Sequence, residues 1–137
     1  MSIEKENKKH LFVFYELLNQ KMFDKLGELV KPEFVSHRPT GDINRDELLS
    51  GTEQLYSSFP DLNIVISHLV AEGDMIAYRE IMKGTHEGEF MGIAPTGKKI
   101  EVVNTCILKM IDGKWAEAWP TIDLMGLLQP IGAITMT

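Results

Sequence analysis

The side chains in this sequence that best suit proton transfer are one aspartate near the C-terminus and two histidines. Asp123 stands between Ile122 and Leu124. A carboxylate among apolar side chains has its charged form disfavoured, which raises its pKa and makes it a usable proton acceptor. Asp123 could equally be the N-cap of an apolar tail segment, residues 124–131, and accept a backbone N–H. The residues alone leave both interpretations open.

The two histidines, His37 and His86, are candidates for a proton shuttle or a polar contact with a ligand. Imidazole is the side chain whose ordinary pKa lies near neutral pH. His37 is predicted on a loop or edge between the second and third helices, and His86 at the end of a strand. The alternative for each is a histidine that is solvated or bound within a turn.

Two polar residues are predicted to point into the interior. Alternation along the strand over residues 100–110 places Asn104 and Cys106 on its more apolar face. Burying the Asn104 amide without a partner would cost ~1–3 kcal/mol, so we expect it to have a partner or a ligand. A hydrogen-bonded core asparagine beside an inert core cysteine is the alternative.

The following strand and its neighbour supply further candidates for a binding site. Trp115, Glu117 and Trp119 are predicted to share one face, opposite Ala116 and Ala118. Arg79 lies in a mostly apolar strand and would need an acidic partner if buried, for which Glu117 and Asp123 are candidates. The expected pocket is apolar, and four side chains are predicted to line it: Tyr15, Phe59, Asn104 and Trp119.

Three helices are expected to precede these strands. Apolar residues recur at spacings of three and four in a first helix capped by Ser2, and Glu4 and Glu6 suit its first turn. A second short helix is expected to include Val30 and to stop before Pro32. A third opens at Asn44, with Glu47 completing a capping box, and ends at Pro60.

After Pro60 the pattern changes to strands separated by turns. Strands are predicted over residues 62–72, 75–85, 100–110 and 114–120. Asp112-Gly113 is the strongest hairpin indication, because type I′ turns favour Asp-Gly. Helices followed by an antiparallel meander indicate an α+β fold with helices packed on one face of a curved sheet. Residues 1–137 are interpreted as a single domain.

Composition excludes several classes of function. The formal net charge is −6 and basic residues are scattered, which argues against nucleic acid as a partner. No apolar stretch approaches the ~20 residues that span a bilayer, so we expect no membrane partner and a cytoplasmic location. A single cysteine, with no HExxH, P-loop or GxGxxG pattern, predicts neither a metal site nor a bound cofactor.

Several segments together resemble the SnoaL-like polyketide cyclase (ester cyclase) family of the NTF2-like superfamily. The resemblance covers nearly the whole chain, and its most telling stretch runs from Asp112-Gly113 through Trp119 and Asp123 to Gly126-Leu127-Leu128. The earlier matching segments are Phe14-Tyr15-Glu16-Leu17, residues 33–39, Phe59-Pro60-Asp61-Leu62, residues 84–90 and residues 92–98.

The resemblance implies a cone-shaped α+β barrel with a deep pocket, a homodimer, and no metal or organic cofactor. In such cyclases an aspartate removes a proton alpha to a carbonyl during an aldol ring closure, and that aspartate falls on Asp123. His37, Arg79, His86 and Trp119 match recurrent family positions. Cys106 and Ala118 are departures, because relatives carry better hydrogen-bonding groups there.

The leading hypothesis is a cofactor-independent acid–base enzyme acting on a small hydrophobic carbonyl compound. A non-catalytic module, which binds a small apolar ligand or dimerises through its sheet, is the alternative. Water addition to an epoxide is a third option, since one fold hosts many chemistries.

Overall fold

The computed structural model of the chain describes residues 2–134. Two helices precede the sheet, a third lies between its second and third strands, and a short one follows it. They are α1 (Ile3–Asn19), α2 (Phe23–Leu26), α3 (Arg45–Ser58) and α4 (Leu124–Leu128), with a 3₁₀ turn at Gly27–Leu29. The six strands are β1 (Val30–Arg38), β2 (Gly41–Asn44), β3 (Asn63–Glu72), β4 (Met75–Thr85), β5 (Lys99–Ile111) and β6 (Lys114–Ile122). No helix within residues 2–134 is long and apolar enough to cross a membrane.

Side-chain caps fix where the two long helices begin. The Ser2 hydroxyl accepts the backbone N–H of Lys5 at 3.2 Å at the start of α1. At the start of α3, Asn44 and Glu47 form the reciprocal capping box that their spacing predicts. Both predicted caps are confirmed, and each satisfies backbone donors that an uncapped helix would leave unpaired.

The six strands form one sheet in the order β2-β1-β6-β5-β4-β3. Neighbours pair antiparallel except β1 and β6, which are parallel. Asp112 and Gly113 join β5 to β6 with φ values of 53° and 73°, the pair of positive angles that a type I′ turn requires. The predicted α+β architecture, with helices packed on a curved sheet, is confirmed.

The two faces of the sheet differ sharply in burial. The inner face carries residues such as Ile76 and Met82 of β4 and Val102 and Leu108 of β5, all buried, and α1 packs across it. The outer face carries the alternate residues and is more exposed, as at Ile107. Strand alternation therefore decides which polar side chains enter the core.

The segment after α2 differs from its prediction. Val30 begins β1 rather than continuing a helix, and residues 30–44 form a β-hairpin where a helix end and a loop were expected. Pro32 and the polar residues around it weaken the local strand pattern. The pairing that forms β1 is made with β6, far along the sequence, and no local pattern reports it.

The predicted facing of β6 is wrong because of a β-bulge. Lys109 pairs with Glu117 while Met110 pairs with Trp115, so Ala116 is an extra residue on its strand. Trp115 consequently faces inward with Ala118, and both are buried. Glu117 and Trp119 lie instead on the outer face, where Trp119 stands opposite Ile107.

Two glycines give a matched test of packing. A Cβ built on Gly88 would lie 2.3 Å from the backbone oxygen of Ser57, whereas a Cβ on Gly51, inside α3, meets nothing within 4 Å. We predict that Gly88→Ala lowers the free energy of unfolding by about 1–3 kcal/mol through overpacking. Gly51→Ala should raise it by about 0.5–1 kcal/mol, because alanine is the better helix former.

Urea denaturation of the two variants measures both values. If Gly88→Ala were as stable as the parent chain, the close approach of residues 88 and 57 would not constrain the fold.

Candidate functional site

Five polar side chains are buried together on the inner face of the sheet. Tyr78 and Glu80 come from β4, Asn104 and Cys106 from β5, and Tyr15 from α1. Glu80 stands directly opposite Asn104 in the strand register, and Tyr78 opposite Cys106. We call these five residues the interior polar cluster. Three of them, Tyr15, Asn104 and Cys106, are predicted binding residues that the fold brings together.

Hydrogen bonds link the members of the cluster in two pairs. The hydroxyl oxygens of Tyr15 and Tyr78 lie 2.9 Å apart. Asn104 Nδ2 donates to Glu80 Oε1 at 2.8 Å, so the amide has the partner that its burial predicts. Glu80 Oε2 and Asn104 Oδ1 are buried without a hydrogen-bond partner among the described residues. Buried polar atoms without a hydrogen-bond partner are uncommon in folded proteins, so these two need a physical explanation.

Burial controls the charge of the whole cluster. It raises the pKa of the Glu80 carboxyl, and hydrogen bonding with Tyr15 and Asn104 only opposes that rise. Burial also raises the pKa of Cys106 to about 12 and those of Tyr15 and Tyr78 well above their ordinary value. The thiol and both phenols are therefore neutral at neutral pH, and they can act as donors but not as anions.

Aromatic side chains form an apolar wall beside the cluster. Tyr15 meets Tyr78 edge-to-face with ring centroids 5.8 Å apart, and Phe14 stacks on Trp115 at 4.0 Å. Little water is available to solvate polar groups in such surroundings. Hydrogen bonds and charges there act more strongly than they would in solvent.

His37 takes part in a second cluster, on the outer face. Its Nε2 lies 2.6 Å from Glu117 Oε2 and its Nδ1 3.1 Å from Asp42 Oδ1, while its ring stacks on Trp119 at 5.3 Å. The hydrogen bond with Glu117 is the main cause that raises the pKa of His37. We call these four residues the outer histidine cluster. The structure thus brings His37 and Trp119 together, but on the face opposite Asn104.

His86 is fully buried and organises the loop of residues 86–98. Its Nδ1 accepts the backbone N–H of Thr96 at 3.3 Å. Its backbone N–H donates to the carbonyl oxygen of Lys98, and its own carbonyl oxygen accepts the N–H of Gly97. Its ring packs against Phe59, another predicted binding residue, which is also fully buried. The contacts of His86 and Phe59 thus lie in the loop and core, apart from the interior polar cluster.

The side-chain hydrogen bonds of Arg79 and Asp123 are made with residues outside the cluster. Arg79 projects from the outer face of β4, where its Nη1 donates to the Ser67 hydroxyl at 2.9 Å rather than to Glu117 or Asp123. Asp123 is exposed and caps α4, with Oδ1 accepting the Gly126 N–H at 3.0 Å. The predicted N-cap is confirmed, while the role of Asp123 as a base stays a prediction.

Glu80 and Tyr78 are residues that the sequence analysis missed. The alternation of β4 is sufficient to identify them. Ile76, Tyr78, Glu80 and Met82 lie on one face of the strand, and that face is apolar apart from Glu80. Arg79 is a weaker indication of a site, because the residues on its face of β4 include the charged Lys83. A carboxyl on the apolar face is the stronger indication of a site.

The expected deep pocket also stays a prediction. An open depression of about 320 Å³ lies between α1 and β3 and is lined by Tyr15 together with residues such as Phe12, Asn19 and Ile66. A second, of about 490 Å³, is lined by residues around Lys83 and Lys99. Neither depression reaches Glu80. No group of three or more His, Cys, Asp or Glu side chains within residues 2–134 is arranged to hold a metal ion.

The family model described as SnoaL-like polyketide cyclase matches residues 9–131. The chain belongs to the SnoaL-like polyketide cyclase family. No curated protein shows a significant sequence match to it.

Solved structures with the same fold include proteins described by different chemistries. AclR, a candidate hydroxylase from Streptomyces galilaeus, is 26% identical with a TM-score of 0.90, over 98% of this chain and 89% of AclR. IdmH, a candidate polyketide cyclase from Streptomyces antibioticus, is 28% identical with a TM-score of 0.81, over 92% of this chain and 98% of IdmH. TsrD from Streptomyces laurentii, 24% identical with a TM-score of 0.86 over 98% of this chain and all of TsrD, shares the fold.

The outer histidine cluster gives a direct electrostatic prediction. We expect the pKa of His37, measured by NMR titration of its imidazole, to lie above the ordinary value and to fall in Glu117→Gln, because the hydrogen bond that the protonated ring donates to Glu117 is the largest cause of the rise. Since the folded-state pKa is raised, the stabilisation is present at low pH and is lost as pH rises through that pKa. Asp42→Asn should lower the pKa less. Equal titration curves for Glu117→Gln and the parent chain would contradict the assignment.

Proposed function

We propose that this member of the family is a cofactor-independent acid–base enzyme that acts on a small hydrophobic carbonyl compound. The observation that carries the proposal is the interior polar cluster: a carboxyl, an amide, a thiol and two phenols buried against aromatic side chains. Polar groups are costly to bury. A fold that needed only stability would gain from apolar residues at these positions, so their presence favours a chemical role.

The proposed reaction begins with removal of a proton from carbon. Asp123, onto which the family's catalytic aspartate falls, would take a proton alpha to the carbonyl, and the electron pair of the C–H bond would move to the carbonyl oxygen. The resulting enolate would then attack a second carbonyl carbon of the same molecule, forming the new C–C bond, and the alkoxide would take up a proton. Neutral donors in a water-poor interior suit the negative oxygen that develops.

A non-catalytic ligand-binding module is the second candidate. Cys106 and Ala118 favour it, because a buried neutral thiol and a methyl group stand where many relatives carry stronger hydrogen-bonding groups. The neighbours AclR and IdmH are described by different reactions, so membership of the fold alone does not decide between the two functions.

Deuterium exchange tests proton abstraction without knowledge of the natural substrate. We predict that the protein accelerates exchange at the carbon beside the carbonyl of α-tetralone, a bicyclic aryl ketone, in deuterated buffer followed by proton NMR. Asp123→Asn should lower the acceleration by about 10²-fold or more, because a positioned base contributes that much. Asparagine caps helices about as well as aspartate, so α4 should remain intact.

Asp24→Asn, at another exposed aspartate, is the matched control and should leave exchange unchanged. Binding of α-tetralone without faster exchange would contradict the enzymatic proposal and support the binding module. Faster exchange that survives in Asp123→Asn would remove that residue from the mechanism and leave the reaction class standing.

We also propose that the outer face of the sheet is the surface of a homodimer. Ile107 and Trp119 stand opposite each other there and are 46% and 37% exposed, more than large apolar side chains usually are. The cytoplasmic location that the sequence predicts also remains a prediction.

Ile107→Lys should convert a dimer into a monomer in sedimentation velocity experiments, because it places a charge in the apolar contact. Met91→Lys, at an apolar residue 69% exposed on the loop of residues 86–98, should leave the dimer intact. A monomeric parent chain at concentrations of tens of micromolar would exclude this surface as a stable interface.

A further inference from the structure

The two unpartnered oxygens of the interior polar cluster belong to one pair of side chains. Asn104 Nδ2 donates to Glu80 Oε1 at 2.8 Å, and the atoms left over are the other oxygen of each group, Glu80 Oε2 and Asn104 Oδ1. An ionised carboxylate accepts hydrogen bonds and cannot donate. With Glu80 ionised, two buried acceptors would therefore remain unsatisfied side by side, a costly arrangement.

A single proton on the Glu80 carboxyl would give both unpartnered oxygens a role in a hydrogen bond. A carboxylic acid and a primary amide are complementary: the amide N–H donates to the carbonyl oxygen of the acid, and the acid O–H can donate to the amide oxygen. A proton on Glu80 Oε2 would give that oxygen a donor and Asn104 Oδ1 a partner. The strand register holds the two residues directly opposite each other, which is the placement that a two-point pair needs.

Arg38 of β1 is a cation near the cluster, and it acts on Cys106 rather than on Glu80. The titratable groups that act on Glu80 do not supply a charge to hold it ionised. They are Tyr15 from α1, Tyr56 from α3, Tyr78 from its own strand and Cys106 from β5. Burial raises the pKa of each of these four groups, so each is neutral at neutral pH. Burial likewise raises the pKa of Glu80 itself.

We propose that Glu80 is a carboxylic acid in the folded protein and forms a two-point hydrogen-bonded pair with Asn104. In this pair the Asn104 amide N–H donates to Glu80 Oε1, and the acid O–H on Oε2 donates to Asn104 Oδ1.

Tyr15 connects this acid with the surface of the protein. It belongs to the interior polar cluster and also lines the open depression between α1 and β3. The Tyr15 hydroxyl bonds that of Tyr78, and hydrogen bonding with Tyr15 also acts on the Glu80 carboxyl.

Infrared difference spectroscopy tests the protonation state without any substrate. We expect the spectrum of the parent chain minus that of Glu80→Gln, at about pH 7, to contain the C=O stretch of a protonated carboxyl. The same difference taken with Glu53→Gln, at an exposed glutamate of α3, should contain carboxylate bands only. Carboxylate bands alone in the Glu80 difference would overturn the proposal.

The pH dependence of unfolding is an independent measurement. Glu80→Gln replaces the acid with an amide, which keeps both hydrogen bonds to Asn104, so this variant should fold. Because the folded-state pKa is raised, the parent chain should lose melting temperature relative to Glu80→Gln as pH rises from the ordinary glutamate value through the folded pKa. An unchanged difference over that window would show that Glu80 is ionised when folded, because the carboxyl would then be charged in both the folded and the unfolded state.

Discussion

The pairing of β4 with β5 is the constraint on which the interior depends. The two strands stay in one register from Met75 opposite Lys109 to Thr85 opposite Lys99, with no shift between them. Because side chains alternate between faces, this unbroken register sends Tyr78 and Glu80 inward on one strand and Asn104 and Cys106 inward on the other. A slip of one residue would bury Arg79 instead of Glu80. The chemistry of the interior is therefore a property of the register as much as of the residues.

The neighbouring strand, β6, contains a β-bulge that changes which face its side chains occupy. The extra residue Ala116 lets β6 bury Trp115 beside the interior and still direct Glu117 outward to His37. Without the bulge, alternation would place both side chains on the same face. One strand can therefore supply an aromatic wall to the core and a carboxylate to the surface within three residues. The bulge keeps the acidic groups of the two clusters on separate faces of the sheet.

The sequence predicts the parts of this fold that local physics determines. The capping box at Asn44, the Asp-Gly turn and the inward Asn104 follow from short-range rules, and the structure confirms them. The parallel pairing of β1 with β6 and the bulge at Ala116 depend on contacts between distant segments, so local periodicity does not report them. Glu80 is a different case. The alternation of β4 does reveal it, because Glu80 is a charged residue on the otherwise apolar face of that strand.

Asp123 and Glu80 lie in different environments of the same fold. Asp123 follows β6 and is exposed, and its Oδ1 accepts the backbone N–H of Gly126 at the start of α4. Glu80 lies within the β4–β5 ladder among phenols, a thiol and an amide, where burial raises the pKa of its carboxyl. Burial within the ladder, rather than residue type, therefore decides which carboxyl the fold holds in its neutral form.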